Sequence, residues 1–199
     1  MNPYLQEFLS LKCCGDVLNV VNLLGHKSAK EITESMSVIK KLKHITLKHP
    51  MQYSVVDLCA GNALTSVLSV FMLPVRNAVA IDKKDRDRPW HLVKRFEYHQ
   101  KDIYKDKIEL DENSIIIAVH ACGNLSEQIC NLYLESEARH LIMMPCCEGH
   151  FKRNQFLVEK LGKYASWCLY LSEQVNGNLY EDKNVLGPKN ILITVRKEE

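Results

Sequence analysis

Two short apolar segments near the middle of the chain each lead into a carboxylate. The first, Tyr53 to Leu58, contains Asp57 and runs into the small residues Cys59-Ala60-Gly61-Asn62-Ala63; the second, Asn77 to Ile81, is followed by Asp82. Small residues allow a backbone turn to approach a ligand at the start of the next helix. A carboxylate after the second strand can accept hydrogen bonds from both ribose hydroxyls. This pattern predicts a nucleoside-binding turn. The alternatives are a plain tight turn and an Asp82 that caps a loop or pairs with Lys83 or Arg86.

Histidine and cysteine residues end two later apolar segments. The first ending reads His120-Ala121-Cys122-Gly123-Asn124, and the second reads Pro145-Cys146-Cys147-Glu148-Gly149-His150. Ligands of an open α/β sheet bind beyond the carboxyl ends of its strands, so we expect these residues to form the floor of a substrate pocket. His120 is the candidate general base, because imidazole titrates near neutral pH. A core histidine satisfied by the backbone is the alternative.

The same side chains are nitrogen and sulfur donors of the kind that bind zinc. A zinc deaminase is disfavoured, because its chemistry needs a Glu two residues after the His and a Cys-x-x-Cys pair. Cys122 and the adjacent pair Cys146-Cys147 occupy those places here. A structural zinc is the weaker alternative to thiols that pack as small hydrophobic groups. We therefore expect no metal.

The elements that position these residues alternate between strands and helices, which indicates a mainly parallel sheet. The first 50 residues read as helical, and Asn2-Pro3 suits a helix start. A polar stretch with two turn sequences precedes the last strand, which favours an antiparallel pair at a sheet edge. We predict strands at 53–58, 78–81, 98–101, 114–120, 140–144, 166–171 and 191–196, and helices at 63–72, 89–98, 125–134 and 151–164.

The composition of the chain limits the classes of protein to which it can belong. The chain has 199 residues, of which 46% are hydrophobic and 25% charged, enough for one globular domain. It shows no secretory signal and no apolar run of ~18 residues, so we expect a cytoplasmic protein with reduced cysteines and no membrane partner. The net charge of +2 does not predict nucleic-acid binding, but basic residues concentrate in segments 30–48 and 83–107. These segments either follow RNA phosphates or form solvated helix faces.

The segment from Asp57 to Ala63 resembles motif I of the class I methyltransferases that use S-adenosylmethionine (SAM), in which an acid is followed by three alternating glycines. Cys59 and Ala63 stand at two of those glycine positions. The resemblance implies a Rossmann-like α/β fold: a mainly parallel seven-stranded sheet with an antiparallel C-terminal strand, plus N-terminal helices. We expect residues 1–50 to be a helical segment packed on a methyltransferase domain at 51–199. The SAM-binding residues implied are Asp57, Cys59, Ala60, Gly61, Asn62, Ala63, Asp82, Lys83, Asp102, Ile103 and His120.

The His-Ala-Cys-Gly-x-Leu-Ser and Pro-Cys-Cys segments resemble a narrower methyltransferase family, which includes the catalytic domain of the CCH-type zinc-finger tRNA 2′-O-methyltransferases. This resemblance covers roughly residues 50 to 150. It implies a substrate-side role for Cys122, Gly123, Asn124, Pro145, Cys146 and Cys147.

We therefore predict a SAM-dependent methyltransferase with His120 as its catalytic residue and RNA, in particular tRNA, as the acceptor. One alternative is a non-catalytic SAM-binding or accessory module of the same fold. A nucleotide-dependent oxidoreductase is a further alternative, but a dinucleotide site needs glycines where Cys59 and Ala63 stand.

Overall fold

The computed structural model describes residues 1–23, 25–151 and 155–197. Its centre is a seven-stranded sheet with the spatial order β3-β2-β1-β4-β5-β7-β6. The central strands are continuous apolar runs buried on both faces, as parallel strands between two helical layers must be. The strands are β1 (Ser54–Leu58), β2 (Asn77–Asp82), β3 (Phe96–Gln100), β4 (Ser114–Val119), β5 (His140–Met144), β6 (Asn178–Glu181) and β7 (Ile191–Arg196).

Strand order reverses between β1 and β4, which lie side by side in the middle of the sheet. All pairings from β3 to β5 are parallel. The last strand, β7, runs antiparallel to both β5 and β6. This confirms the predicted mainly parallel sheet with a reversed C-terminal strand. The crevice expected for a ligand lies beyond the carboxyl ends of β1 and β4.

Helices cover both faces of the sheet. Alternate residues of each central strand face opposite layers, so that Ile115 and Ile117 pack with the N-terminal helices whereas Ile116 and Ala118 pack with the C-terminal ones. The first layer consists of α1 (Pro3–Ser10), α2 (Cys14–Val21), α3 (Ser28–Thr46) and α4 (Leu64–Met72). The second consists of α5 (Asn124–Glu135) and α6 (Gln155–Gln174), which is kinked at Gly162. None of the helices in the described part of the chain is long and apolar enough to cross a membrane.

The longest N-terminal helix, α3, positions one side of the crevice. Its residues from Ile32 to Ile39 are all buried, and it contacts α1, α4, β4 and β5. The side chain of Asn2 accepts hydrogen bonds from the amides of Tyr4 and Leu5 and so caps α1. The second turn of α3 contacts the first turn of α4, since Ser35 Oγ lies 2.9 Å from Thr65 Oγ1.

Two predicted elements differ from the structure, and one observed strand was not predicted. The strand predicted at 166–171 is part of α6, because the buried side chains Trp167, Cys168 and Leu171 follow a helical spacing. The helix predicted at 89–98 is a single 3₁₀ turn, Trp90–Leu92, followed by β3, whose pairing with β2 outweighs local helix preference. Strand β6 was not predicted. Residues 152–154 of the helix predicted at 151–164 lie outside the described residues.

Candidate active site

A cleft of about 410 Å³ opens beyond β1 and β4, where strand order reverses. Its floor is the turn after β1 together with the end of β4, and one wall is the start of α3. Six of the residues predicted to bind the cofactor line this cleft: Asp57, Cys59, Ala60, Gly61, Asn62 and His120. The volume lies within the range of about 300–1,000 Å³ typical of small-molecule sites.

The turn after β1 has three left-handed residues in alternation. Cys59, Gly61 and Ala63 have φ angles of 61°, 57° and 57°. These are the three positions at which the resemblance places glycines, and two of them carry a Cβ that makes this conformation unfavourable by roughly 1–2 kcal/mol. The backbone of the glycine motif is thus present even though two glycines are not. Asn62 Oδ1 accepts a hydrogen bond from Leu64 N (3.1 Å) and starts α4.

Asp57 lies at the base of the cleft, with 2% of its surface exposed. Ser66 Oγ donates a hydrogen bond to its Oδ2 at 2.9 Å. Burial nevertheless raises the pKa of the Asp57 carboxyl group to about 7, since the hydrogen bonds from Ser66 offset desolvation only in part. Its charge therefore changes near neutral pH.

Asp82 ties the end of β2 to the turn after β1. Its Oδ2 accepts the Gly61 amide and its Oδ1 accepts the Lys84 amide, both at 2.9 Å. A carboxylate oxygen has two lone pairs, so each oxygen keeps capacity for a further donor such as a ribose hydroxyl. The Asp82 side chain thus caps two loops through their backbone amides, as one of the alternatives expected, whereas Lys83 pairs with Asp102.

His120 and Glu34 meet inside the cleft, although they are 86 residues apart in the chain. His120 follows β4 and adopts a left-handed φ of 65°; Glu34 belongs to the buried part of α3. His120 Nε2 is hydrogen-bonded to Glu34 Oε2. The Glu34 side chain is fully buried, and its Oε1 lies 3.1 Å from Lys30 Nζ without an aligned hydrogen bond. Because an ionised carboxylate only accepts hydrogen bonds, this contact places the His120 hydrogen on Nε2 and leaves Nδ1 as the basic nitrogen.

Two arginines complete the polar lining. Arg86 and Arg88 come from the loop after β2 and face the same cleft as Glu34. Their Nε atoms, like Glu34 Oε1, are buried and have no hydrogen-bond partner among the described residues. Buried polar groups are normally satisfied, so the two arginine Nε atoms, beside a carboxylate oxygen that only Lys30 approaches, are suited to a polar ligand. Sequence reasoning missed Glu34 and both arginines as ligand-binding residues; the basic segment 83–107 was the available signal for the arginines.

Five predicted cofactor residues are not part of the lining: Ala63, Asp82, Lys83, Asp102 and Ile103. Lys83 forms an ion pair with Asp102, with 3.2 Å between Nζ and Oδ2. Asp102 also accepts the Tyr104 amide at 3.0 Å, and this hydrogen bond, followed by Lys83, lowers its pKa. Ile103 packs into the hydrophobic cluster on the α5 and α6 face. Lys83 and Asp102 thus form part of the rim after β2 and β3.

The predicted substrate-pocket residues form a second group beside His120. The loops after β4 and β5 are joined by a hydrogen bond from Gly123 N to Cys147 O (3.2 Å). Tyr164 donates to Pro145 O, and His150 N donates to Asn124 Oδ1. The Sγ atoms of Cys122, Cys146 and Cys147 lie within 4.8 Å of one another. Burial raises the pKa of the Cys122 and Cys146 thiols, which disfavours a thiolate nucleophile here.

Comparison with known proteins identifies the family. A family model described as a methyltransferase domain matches residues 27–154, which include the turn after β1, α3 and both cysteine-bearing loops. The chain belongs to this methyltransferase domain family. No curated protein sequence matches the chain.

Solved structures of low sequence identity share the fold. The CurJ carbon methyltransferase matches with a TM-score of 0.57 and 11% identity over 83% of this chain and 54% of that one. This chain thus spans about half of the CurJ methyltransferase chain. The plantazolicin methyltransferase BpumL in complex with SAH matches with a TM-score of 0.54 and 10% identity over 97% and 93% of the two chains. The methyltransferase domain of bacterial CtHen1-CN matches with a TM-score of 0.52 and 9% identity over 82% and 100%.

Proposed function

We propose that the chain is a SAM-dependent methyltransferase that binds SAM in this cleft and methylates RNA. The observation that carries the proposal is the coincidence of three features at one point of the sheet. The glycine-type turn after β1, the carboxylate after β2 that holds this turn, and the buried Glu34 carboxylate with the unsatisfied Nε atoms of Arg86 and Arg88 all lie around the site where strand order reverses. The crevice at such a reversal is where folds of this type bind nucleotide-like ligands.

The polar groups of the cleft match the parts of SAM. Asp82 would accept the ribose hydroxyls, and the guanidinium groups of Arg86 and Arg88 are suited to a carboxylate. Glu34 and Asp57 place acidic oxygens where a ligand with cationic groups would lie. When bound, SAM supplies an electrophilic methyl group, and the protein mainly has to align the acceptor.

His120 is proposed as the general base. The Glu34 carboxylate holds the ring through Nε2, so Nδ1 can take a proton from a hydroxyl or amine acceptor. The left-handed φ of His120 is the kind of local strain that is retained at functional sites, at a cost of roughly 1–3 kcal/mol. Both observations favour a catalytic role over a core histidine satisfied by the backbone.

A basic groove supports RNA as the acceptor. This groove, of about 290 Å³, lies at the other end of α3 and is lined by Lys41, Lys48 and Arg196 with three histidines. Among the described residues, no acidic side chain lines this groove. The groove lies about one length of α3, roughly 28 Å, from the cleft, a distance that a folded RNA can span over the protein surface while one nucleotide enters the cleft. The resemblance of the His-Ala-Cys-Gly and Pro-Cys-Cys segments to a tRNA methyltransferase family supports the same acceptor.

Calorimetric titration with SAM and with S-adenosylhomocysteine tests the cofactor. Asp82→Ala should weaken binding by at least about tenfold, because losing hydrogen bonds to a charged group costs roughly 1.5–3 kcal/mol. Asp85→Ala is the matched control, since Asp85 is an exposed acid of the loop after β2, whereas Asp82 accepts the Gly61 amide of the turn after β1. No binding by the wild type, or equal binding by Asp82→Ala, would remove the proposal. Stabilisation by NAD rather than SAM in a thermal shift assay would favour the oxidoreductase.

Labelled SAM incubated with total RNA and with protein extract tests the acceptor. We expect label in RNA, and we expect Glu34→Gln and His120→Ala to lower the methylation rate while SAM binding remains measurable. Lys48→Ala should weaken RNA binding and reduce its salt dependence, whereas the exposed Lys160 on α6 provides a control substitution. Label in protein alone would contradict the RNA acceptor. SAM binding without any labelled product would support the non-catalytic module.

A further inference from the structure

We infer that Cys122, Cys146 and Cys147 bind one zinc ion beside the methyltransferase cleft. These three residues come from the loops after two neighbouring strands, β4 and β5. Their Sγ atoms all lie within 4.8 Å of one another, with 2.7 Å between Cys122 and Cys146 and 3.5 Å between Cys146 and Cys147. The sequence alone did not predict a metal here, because an adjacent cysteine pair does not follow the usual spacing of zinc ligands.

The three sulfur atoms lie close enough together to share a single ion. A tetrahedral site with Zn–S bonds of about 2.3 Å places its sulfur atoms about 3.8 Å apart. The three sulfurs need shifts of only about 1 Å to reach that arrangement. Thiols are weak donors and weak acceptors, so hydrogen bonds among them give little reason for such close approach. A shared cation bound to all three supplies that reason.

The two loops that carry the sulfur atoms are held together by contacts that do not involve the thiol groups. The Gly123 amide donates to Cys147 O, and Asn124 Oδ1 accepts the His150 amide at 3.0 Å. Gly149 packs so closely that a Cβ there would lie 2.6 Å from the Trp167 ring. The polypeptide therefore presents the three sulfurs on a preformed scaffold, which lowers the conformational cost of binding an ion.

The three cysteine sulfurs favour zinc as the metal and leave its fourth coordination position open. Thiolates favour zinc and other soft ions over magnesium or calcium. No fourth histidine, cysteine or acidic side chain among the described residues belongs to the cluster. Cys122 and Cys147 are exposed, so the fourth position faces solvent, as in zinc sites that keep a place for water or substrate. The carbonyl oxygen of His120, a residue of the cleft, lies 3.3 Å from Cys122 Sγ, which puts the ion next to the proposed base.

Metal analysis of the full chain tests this site without any measurement of activity. The protein is reconstituted with zinc in reducing buffer, freed of loose metal and analysed by mass spectrometry for zinc content. We expect about one zinc per chain, as for other single-ion sites. Substituting cobalt should give the intense sulfur-to-cobalt charge-transfer absorption of a thiolate site.

Two exposed ligands provide the variants. Cys122→Ala and Cys147→Ala should each lower zinc affinity by at least about 100-fold, because even outer partners of metal ligands are worth 10- to 100-fold. Cys14→Ala, in α2, should bind zinc like the wild type, and circular dichroism verifies that each variant folds. The site is refuted if the reduced wild type binds no zinc, or if its zinc content is the same in both ligand variants. A Cys122–Cys146 disulfide in a protein that binds no zinc after reduction would likewise overturn it.

Discussion

Replacing Asp57 by asparagine is expected to remove a pH-dependent loss of stability. The Asp57 carboxyl group is buried, and desolvation raises its pKa from 3.8 to about 7 in the folded protein. Because the folded-state pKa lies above the unfolded one, the native state favours the protonated form. The stability from this preference is fully present below pH 3.8 and is lost as pH rises through about 7.

The size of the effect follows from the two pKa values. At about 1.4 kcal/mol per pKa unit, the shift corresponds to a total of about 4 kcal/mol. Integrating the proton uptake between about pH 5 and pH 8.5 assigns about 3 kcal/mol of this loss to that interval. Asparagine cannot ionise, and its amide oxygen can still accept the hydrogen bond from Ser66. The difference in unfolding free energy between Asp57→Asn and wild type should therefore shift by about 3 kcal/mol in favour of the variant over that interval.

Urea unfolding of both proteins across this pH range provides the measurement. Glu109→Gln is the matched control, since Glu109 is exposed and its removal should leave the pH dependence of the wild type unchanged. The comparison between variant and wild type cancels contributions from other titrating groups. A constant difference between Asp57→Asn and wild type over the whole range would refute the raised pKa.

Three further predictions concern backbone strain, acid stability and packing. Gly61→Ala should destabilise the protein by roughly 1 kcal/mol because the φ of Gly61 is 57°, whereas Gly15→Ala within α2 should stabilise it by a similar amount. Neither new Cβ meets another atom within 4 Å, so the two substitutions differ in backbone conformation alone. Equal effects of the two substitutions on thermal unfolding would contradict the strain argument. Burial lowers the pKa of His140 to about 4, so neutral His140 contributes stability above pH 6.5 that is lost as pH falls through about 4. His140→Phe should therefore reduce the loss of unfolding free energy at acid pH, measured by unfolding at a series of pH values. Gly149→Ala should cost roughly 1–3 kcal/mol, because its Cβ would overlap the Trp167 ring, and a midpoint of urea unfolding equal to that of the wild type would disprove this close contact.

Much of the fold is predictable because its signals are local. The strands β1, β4 and β5 are continuous apolar runs, and β5 and β7 have the predicted bounds. The strand predicted at 166–171 was wrong because a short apolar run does not by itself distinguish a buried strand from the buried face of a helix. Strand β6 is exposed over its four residues, so no hydrophobic pattern indicates it; its pairing with β7 creates it.

The sequence by itself determined which residues lie at the carboxyl ends of the strands, because an apolar run followed by a polar residue is a local signal. Asp57, Gly61, Asp82 and His120 were located in this way. Asp57, four residues of the turn after β1 and His120 line the cleft, and Asp82 accepts a hydrogen bond from that turn. Only the tertiary structure decided which distant groups join them. The contact between His120 and Glu34 depends on how α3 packs on the sheet, and long-range packing leaves no mark in the spacing of residues.

The cysteines also separate what the sequence determines from what the tertiary structure decides. Their positions after two apolar segments were visible in the sequence, and there the adjacent pair argued against a metal. The pairing of β4 with β5 brings the sulfur of Cys122 within 2.7 Å of that of Cys146, a proximity set by strand order in the sheet.

The conformation of the turn after β1 was also decided by the tertiary structure. Its glycine-poor sequence indicated a degenerate motif, whereas the fold holds Cys59 and Ala63 in the left-handed conformation of glycine. The surrounding sheet and helices stabilise a backbone shape that the local residues alone do not favour.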